Sequence, residues 1–212
     1  MTRILLIRHG ESVFNLERKY SGQLDVPLTE KGVEQAQKTA DYILKNYKID
    51  AVYSSDLSRA INTAKPISEP LGLEIKTDSR LREIYAGKWQ GLYFADVGVL
   101  YKEEYESYKA DKENARTLGG EGMQDVMKRV VESVLEIAQT NDGKTVLIST
   151  HNGPLMTLEV PLLNITLNDI YSLSNNSITE IEYSEGKFKL IKLGYDEHLG
   201  DLITKFTNKH SN

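Results

Sequence analysis

Two distant stretches of the chain share one arrangement: Ile4-Leu5-Leu6-Ile7-Arg8-His9-Gly10 and Val146-Leu147-Ile148-Ser149-Thr150-His151-Asn152-Gly153. Each is a short apolar run leading into a histidine and then a glycine. Such runs read as strands buried on both faces of a parallel sheet. In open α/β sheets ligands bind beyond the carboxyl ends of the strands, so two histidines placed there can converge on one pocket. A lone histidine after a strand is ordinarily a hydrogen-bonded structural group, but two in matching settings point to chemistry. A third stretch, Ser54-Ser55-Asp56-Leu57-Ser58-Arg59, puts Arg59 near a helix N-terminus, where a guanidinium and backbone donors together suit an oxyanion. Arg8, between an apolar strand and His9, is expected to be partly buried and paired with an anion. His198 and His210 have no comparable setting and read as structural or solvated.

The elements that must position these groups alternate β and α. A helix capped by Thr29 carries Val33, Ala36, Ala40, Ile43 and Leu44 near one face, through about Tyr47. Asp50 to Tyr53 reads as a strand, Asp56 or Ser58 is placed to cap a helix running toward Leu71, and Glu74 to Thr77 gives a weaker third strand. Pro66 and Pro70 should make that helix irregular. From Trp89 to about Arg116 the chain is tyrosine-rich and charged, and reads as a partly helical excursion rather than core. Val126, Val130, Val134, Leu135 and Ile137 mark a stronger helix, which Asn141-Asp142-Gly143 ends. Thr145 to Ile148 is another buried strand. Ile178 to Tyr183 and Phe188 to Leu193, joined through Ser184-Glu185-Gly186, form a hairpin, and the tail after Lys205 reads as loose.

Composition narrows the class. The 212 residues suit one domain, and 40% hydrophobic with 27% charged residues is ordinary for a globular protein. With 26 basic against 31 acidic side chains the net charge is −5, which argues against a surface devoted to nucleic acid. There is no cysteine, so disulfides, thiolate metal sites and cysteine nucleophiles are excluded. The run from Ile4 to Ile7 is too short for a signal-peptide core or a membrane span, and the expected location is the cytoplasm.

The residues carry a resemblance. Arg8-His9-Gly10-Glu11-Ser12 with Asn15 is similar to the signature of the histidine phosphatase superfamily. Gly22, Asp25, Pro27-Leu28-Thr29, Gly32 and Gln35-Ala36 resemble its next block, and Ser54 to Ala60 with Thr63-Ala64 the one after. Leu81-Arg82-Glu83-Ile84, Gly87, Trp89 and Gly91 resemble the phosphatase branch, which includes alpha-ribazole phosphatase and broad-specificity phosphatases. Gly119-Gly120-Glu121, His151 and Asn176-Ser177-Ile178-Thr179 extend the likeness over nearly the whole chain. It implies a phosphoglycerate mutase-like three-layer α/β/α sandwich with a mostly parallel central sheet. A single domain would span 1–212, with a helical, lid-like excursion at about 89–118.

The resemblance also implies a chemistry. His9 would be the nucleophile, passing through a phosphohistidine on a small phosphate monoester, with Arg8, Arg59 and His151 clamping the phosphoryl group. Asn15, Gly10, Ser21, Gly22 and Asn152 would contact substrate. Glu83 would give a proton to the leaving oxygen and take one from water. Read without the resemblance, Glu83 is an ion-pair partner of Arg80 or Arg82. No cofactor or metal is implied, and no ligand-spaced cluster is visible.

The chain departs from the family at Lys19-Tyr20-Ser21-Gly22, where arginine and glutamine often precede the glycine, and at Phe14, a common tryptophan. Gly122 stands where serine would cap a helix, and Asn152 where glycine usually follows the histidine. The phosphatase-like segment from Glu83 to Gly91 and the short chain favour hydrolysis. A cofactor-dependent phosphoglycerate mutase is the runner-up and a non-catalytic phosphate-binding module the third reading. Tyr93, Tyr101, Tyr105 and Tyr108 either line an aromatic-tolerant pocket or pack against the body. Lys102, Lys109, Lys112 and Arg116 read as a solvated face. The sequence assigns no substrate and no oligomeric state.

Overall fold

The computed structural model describes residues 1–204. Its sheet has the order β3-β2-β4-β1-β5-β6, built from Thr2–Arg8 (β1), Ala51–Ser54 (β2), Ile75–Thr77 (β3), Thr145–Thr150 (β4), Ile178–Ser184 (β5) and Lys187–Tyr195 (β6). The first four strands of that order are mutually parallel, and the β5–β6 hairpin joins antiparallel to β1. The hairpin turns at Glu185 and Gly186, both at positive φ, as a two-residue turn matched to strand twist requires.

Alternation along β1 explains the layers, because successive side chains leave opposite faces of a strand. Ile4 and Leu6 pack with Val126, Val130 and Val134 of Met123–Thr140 (α6) and with Leu155 and Leu158 of Asn152–Leu163 (α7). Leu5 and Ile7 pack with Ala40 and Ile43 of Glu30–Asn46 (α2) and with Ala64 and Ile67 of Ser58–Ser68 (α3). The result is a three-layer α/β/α sandwich around a mostly parallel sheet. For numbering, Val13–Glu17 is α1, Phe94–Leu100 is α4 and Lys102–Ala110 is α5.

Several expectations meet corrections. Thr29 caps α2 by accepting from Gly32 N, but Val33 is exposed, because the buried face begins at Gly32, which packs tightly on the Glu11 backbone, and continues through Gln35 and Ala36. Neither Asp56 nor Ser58 caps α3. The N-cap is Leu57, Asp56 is held by Arg82, and Asp25 Oδ1, from a remote loop, accepts from Ser58 N at 2.8 Å. Pro66 lies within α3 without ending it, and a short 3₁₀ turn, Glu69–Leu71, takes up Pro70. Trp89 is fully buried, so the excursion has its own small core with Ala86 and Val97. Gly122 does start α6, with Asp125 Oδ2 accepting from its N–H at 2.9 Å in place of a serine cap. His198 is structural: its Nε2 bonds Thr39 Oγ1 at 2.9 Å and its ring stacks with Tyr42 and Tyr195. His210 and the tail after Lys205 lie outside the described residues. Among the described residues no helix is long and apolar enough to cross a membrane.

Candidate active site

Register brings the two histidines together. Ile4 to Arg8 pair with Val146 to Thr150, His9 N continues the ladder to Thr150 O at 2.9 Å, and both chains then leave the sheet at the same end. The rings of His9 and His151 meet edge to face with centroids 5.1 Å apart. β2 ends beside them, and Ser55 Oγ lies 2.8 Å from His151 Nε2.

His9 is buried, and its Nδ1 is 2.7 Å from the carbonyl of Gly10. A carbonyl can only accept, so Nδ1 carries the ring proton and Nε2 keeps its lone pair. Burial, then the charges of Arg59 and Arg8, hold the imidazolium form well below the usual histidine range. His151 is lowered in the same way, by burial first and Arg59 next.

The two arginines are buried on different supports. Arg8 Nη1 donates to the Leu173 carbonyl and, at 3.4 Å, to Asn152 Oδ1. Both of these oxygens are neutral, and the negative charge of Glu83 also acts on the guanidinium. Arg59, the second residue of α3, donates to Leu24 O at 2.8 Å and Gly22 O at 2.9 Å, while its Nε is buried without a partner. Burial lowers both guanidinium groups to about 10, so both stay charged at neutral pH.

Glu83 forms neither expected ion pair. Arg80 is taken by Asp78 and Glu136, and Arg82 by Asp56. Glu83 Oε1 instead accepts from Ile84 N at 2.9 Å and Gly153 N at 3.0 Å, the latter in the first turn of α7.

Arg8, His9, Asn15, Ser21, Gly22, Arg59, Glu83 and Asn152 line one cavity of about 310 Å³. His151 reaches the group through its contact with His9. Gly10 is not part of the wall: its N–H donates to Thr63 Oγ1 at 3.0 Å, and a Cβ there would press on Gly32 O and Asn176 Nδ2. Gly10 therefore serves close packing that orients His9. Asn152 does not adopt a left-handed turn; it lies in the first turn of α7, whose N-cap is His151, and braces Arg8 and Leu173 N with its Oδ1.

Residue types alone did not flag three supports. Arg129 of α6 donates to the carbonyls of Arg80, Arg82 and Glu83 at 2.6–3.0 Å and forms a two-point pair with Glu121. Asn175 Nδ2 donates to His9 O at 2.9 Å and Asn15 Oδ1 at 3.1 Å. Ser55 holds His151. Among the described residues no group of His, Cys, Asp or Glu side chains is placed to hold a metal ion.

A neutral imidazole with one committed nitrogen, sharing a cavity with two buried guanidiniums and a carboxyl group at the carboxyl end of a parallel sheet, has the chemistry that phosphoryl transfer through a histidine requires. The chain belongs to the histidine phosphatase superfamily (branch 1), whose model matches residues 4–196. It is 30% identical over 97% of its length to phosphoserine phosphatase 1 of Hydrogenobacter thermophilus, 98% of which is covered. It is 36% identical to phosphoglycerate mutase-like protein 4 of Arabidopsis thaliana, over 73% of this chain and 68% of that one. Among solved structures, Bacillus stearothermophilus YhfR superposes with a TM-score of 0.89 at 31% identity, covering 94% of this chain and all of that one.

Proposed function

We propose that the chain hydrolyses a small phosphate monoester through a phosphohistidine on His9, without a metal ion. The observation that carries this reading is the commitment of His9 Nδ1 to the Gly10 carbonyl, which leaves Nε2 unprotonated beside Arg8 and Arg59.

In the first step His9 Nε2 forms a bond to phosphorus as the ester P–O bond breaks, and Glu83, protonated, gives its proton to the departing alkoxide. Arg8 and Arg59 neutralise charge on the equatorial oxygens, the main demand of this transition state. The Ser55 hydroxyl accepts from Leu57 N and has a hydrogen to give His151 Nε2. His151 then carries its proton on Nδ1, a buried atom without a protein partner, as another donor for the phosphoryl group. In the second step Glu83, now a carboxylate, takes a proton from water. The water oxygen bonds to phosphorus, the P–N bond breaks, and phosphate leaves with the histidine regenerated. Asn15, Ser21, Gly22 and Asn152 complete the wall around the ester. We place this activity in the cytoplasm, where small phosphorylated metabolites are made and used.

The test is phosphate release from a panel of monoesters with EDTA present, for wild type and His9→Ala. Release lost in the variant, together with a rapid-quench mass increase of one phosphoryl group on the peptide containing His9, supports the reading. Equal release by both proteins overturns it, and transfer between phosphoglycerates with little free phosphate would indicate a mutase.

A further inference from the structure

Beyond the phosphate-binding end, the cavity wall changes character. Tyr20, Ile84, Phe94, Tyr108, Met123 and Met156 form it, and its aromatic members pack on one another or on Trp89. Tyr20 meets Phe94 edge-on at 4.6 Å and Trp89 at 5.4 Å, and Trp89 in turn meets Tyr108 at 5.5 Å. Two of these side chains, Phe94 and Tyr108, come from the helices α4 and α5 of the excursion. Burial raises the Tyr108 phenol to about 12, so it stays neutral.

The ammonium and the side-chain amide along this part of the wall are already engaged. Among the described residues, Lys19 is the one cationic side chain lining the cavity apart from the two arginines. Its ammonium lies 2.8 Å from Glu17 and over the rings of Phe14 and Tyr93, at 5.3 and 4.6 Å. Asn152 Nδ2 donates to Ser172 Oγ at 3.1 Å. The charged side chains of the excursion lie elsewhere: Lys109 meets Glu106, Arg116 pairs with Asp125, and neither lines the cavity. A carboxylate or second phosphate on the substrate would lose its water against methionine and phenylalanine side chains with no uncommitted cation to replace it.

Building on the phosphatase reading, we propose that the substrate class is the monophosphate ester of an uncharged alcohol with an apolar or aromatic body. That separates this chain from a relative whose name specifies phosphoserine. The aromatic wall replaces water around the alcohol, and the charge requirement is confined to the one phosphoryl group.

Aryl phosphates are reactive leaving groups and would blur the comparison, so the test uses alkyl esters throughout. Purified full-length protein is assayed for kcat/KM on hexyl phosphate and 3-phenylpropyl phosphate against phosphoserine and 3-phosphoglycerate, with His9→Ala as background. The expected result is a kcat/KM at least about tenfold higher for the two uncharged alcohols, the scale a hydrophobic pocket supplies. Phe94→Lys, at a partly exposed position, should shrink that ratio by raising turnover of the carboxylated esters. Phe94→Ala should raise KM for 3-phenylpropyl phosphate more than for 3-phosphoglycerate. His9-dependent hydrolysis that is equal or faster on the carboxylated esters overturns the substrate class and leaves the phosphatase reading standing. No hydrolysis of any of the four overturns both.

Discussion

Glu83 Oε1 accepts the backbone N–H of Gly153 at 3.0 Å, which ties the proposed proton donor to the helix that begins immediately after His151. The approach is so close that a methyl group on Gly153 would overlap that oxygen. Gly153→Ala should therefore displace the Glu83 carboxyl while leaving the nucleophile and both arginines in place. We expect kcat for an alkyl phosphate to fall by about 10²-fold, the lower end of what general acid catalysis contributes. The loss on p-nitrophenyl phosphate should be much smaller, since its phenolate leaves without a proton. Equal losses on both esters would show that Glu83 is not the acid.

The backbone carrying Glu83 depends on Arg129, which donates to the carbonyls of residues 80, 82 and 83 and is itself fixed by Glu121. Arg129→Met removes the planar fork and leaves those carbonyls and the Glu121 carboxylate without their donor. As a positioning residue, Arg129 should affect kcat more than KM, with the same bias against alkyl leaving groups as Gly153→Ala. Arg129→Lys, with one ammonium for several acceptors, should recover only part of the rate. A change confined to thermal stability would reduce Arg129 to a structural tie.

What could be read from the chain follows from which interactions are local. The strands ending at His9 and His151, the alternation of β and α, and Thr29 as a cap are short-range patterns, and the structure has them. Arg59 was also legible, because its place in the first turn of a helix follows from the residues around it. Glu83 was not legible from residue types: the two arginines just before it, Arg80 and Arg82, suggested an ion pair, whereas its partners are backbone amides, which carry no side-chain signature. Arg129 stands 46 positions from Glu83 and on another element, so only the packing of α6 brings them together. The N-cap of α3 failed for the same reason, since the acceptor for Ser58 N is Asp25, 33 residues earlier.

The neutral state of the two site histidines gives a pH test. Burial and the neighbouring arginines hold His9 and His151 well below the ordinary histidine value of 6.5. In ¹H–¹³C spectra of the free enzyme, neither ring should titrate between pH 8 and pH 6. His198, lowered by burial to about 4, should be silent over the same range. Because the folded values lie below the unfolded one, these residues contribute stability that is fully present above about pH 6.5 and is lost as the pH falls from there. A His9 resonance with a midpoint near 6.5 would remove the argument for a lone pair held ready on Nε2.

Glu159 supplies a linkage of opposite sign. It is buried in α7, one turn beyond the cavity-lining Met156; its Oε2 accepts from Tyr171 N at 3.2 Å and its Oε1 has no partner. Burial raises its carboxyl to about 7, against 4.5 for an ordinary glutamate. The folded protein therefore binds this proton more tightly than the unfolded chain does, so stability is greatest below about pH 4.5 and falls as the pH rises toward 7. Glu159→Gln keeps the shape and the acceptor for Tyr171 N while removing the charge. Its melting temperature should exceed wild type by a few degrees at pH 8 and by little or nothing at pH 4.5, where the wild-type carboxyl is already protonated in the fold. A difference that stays constant across that range would mean that the mutation acts by packing, and that the buried carboxyl is not the titrating group.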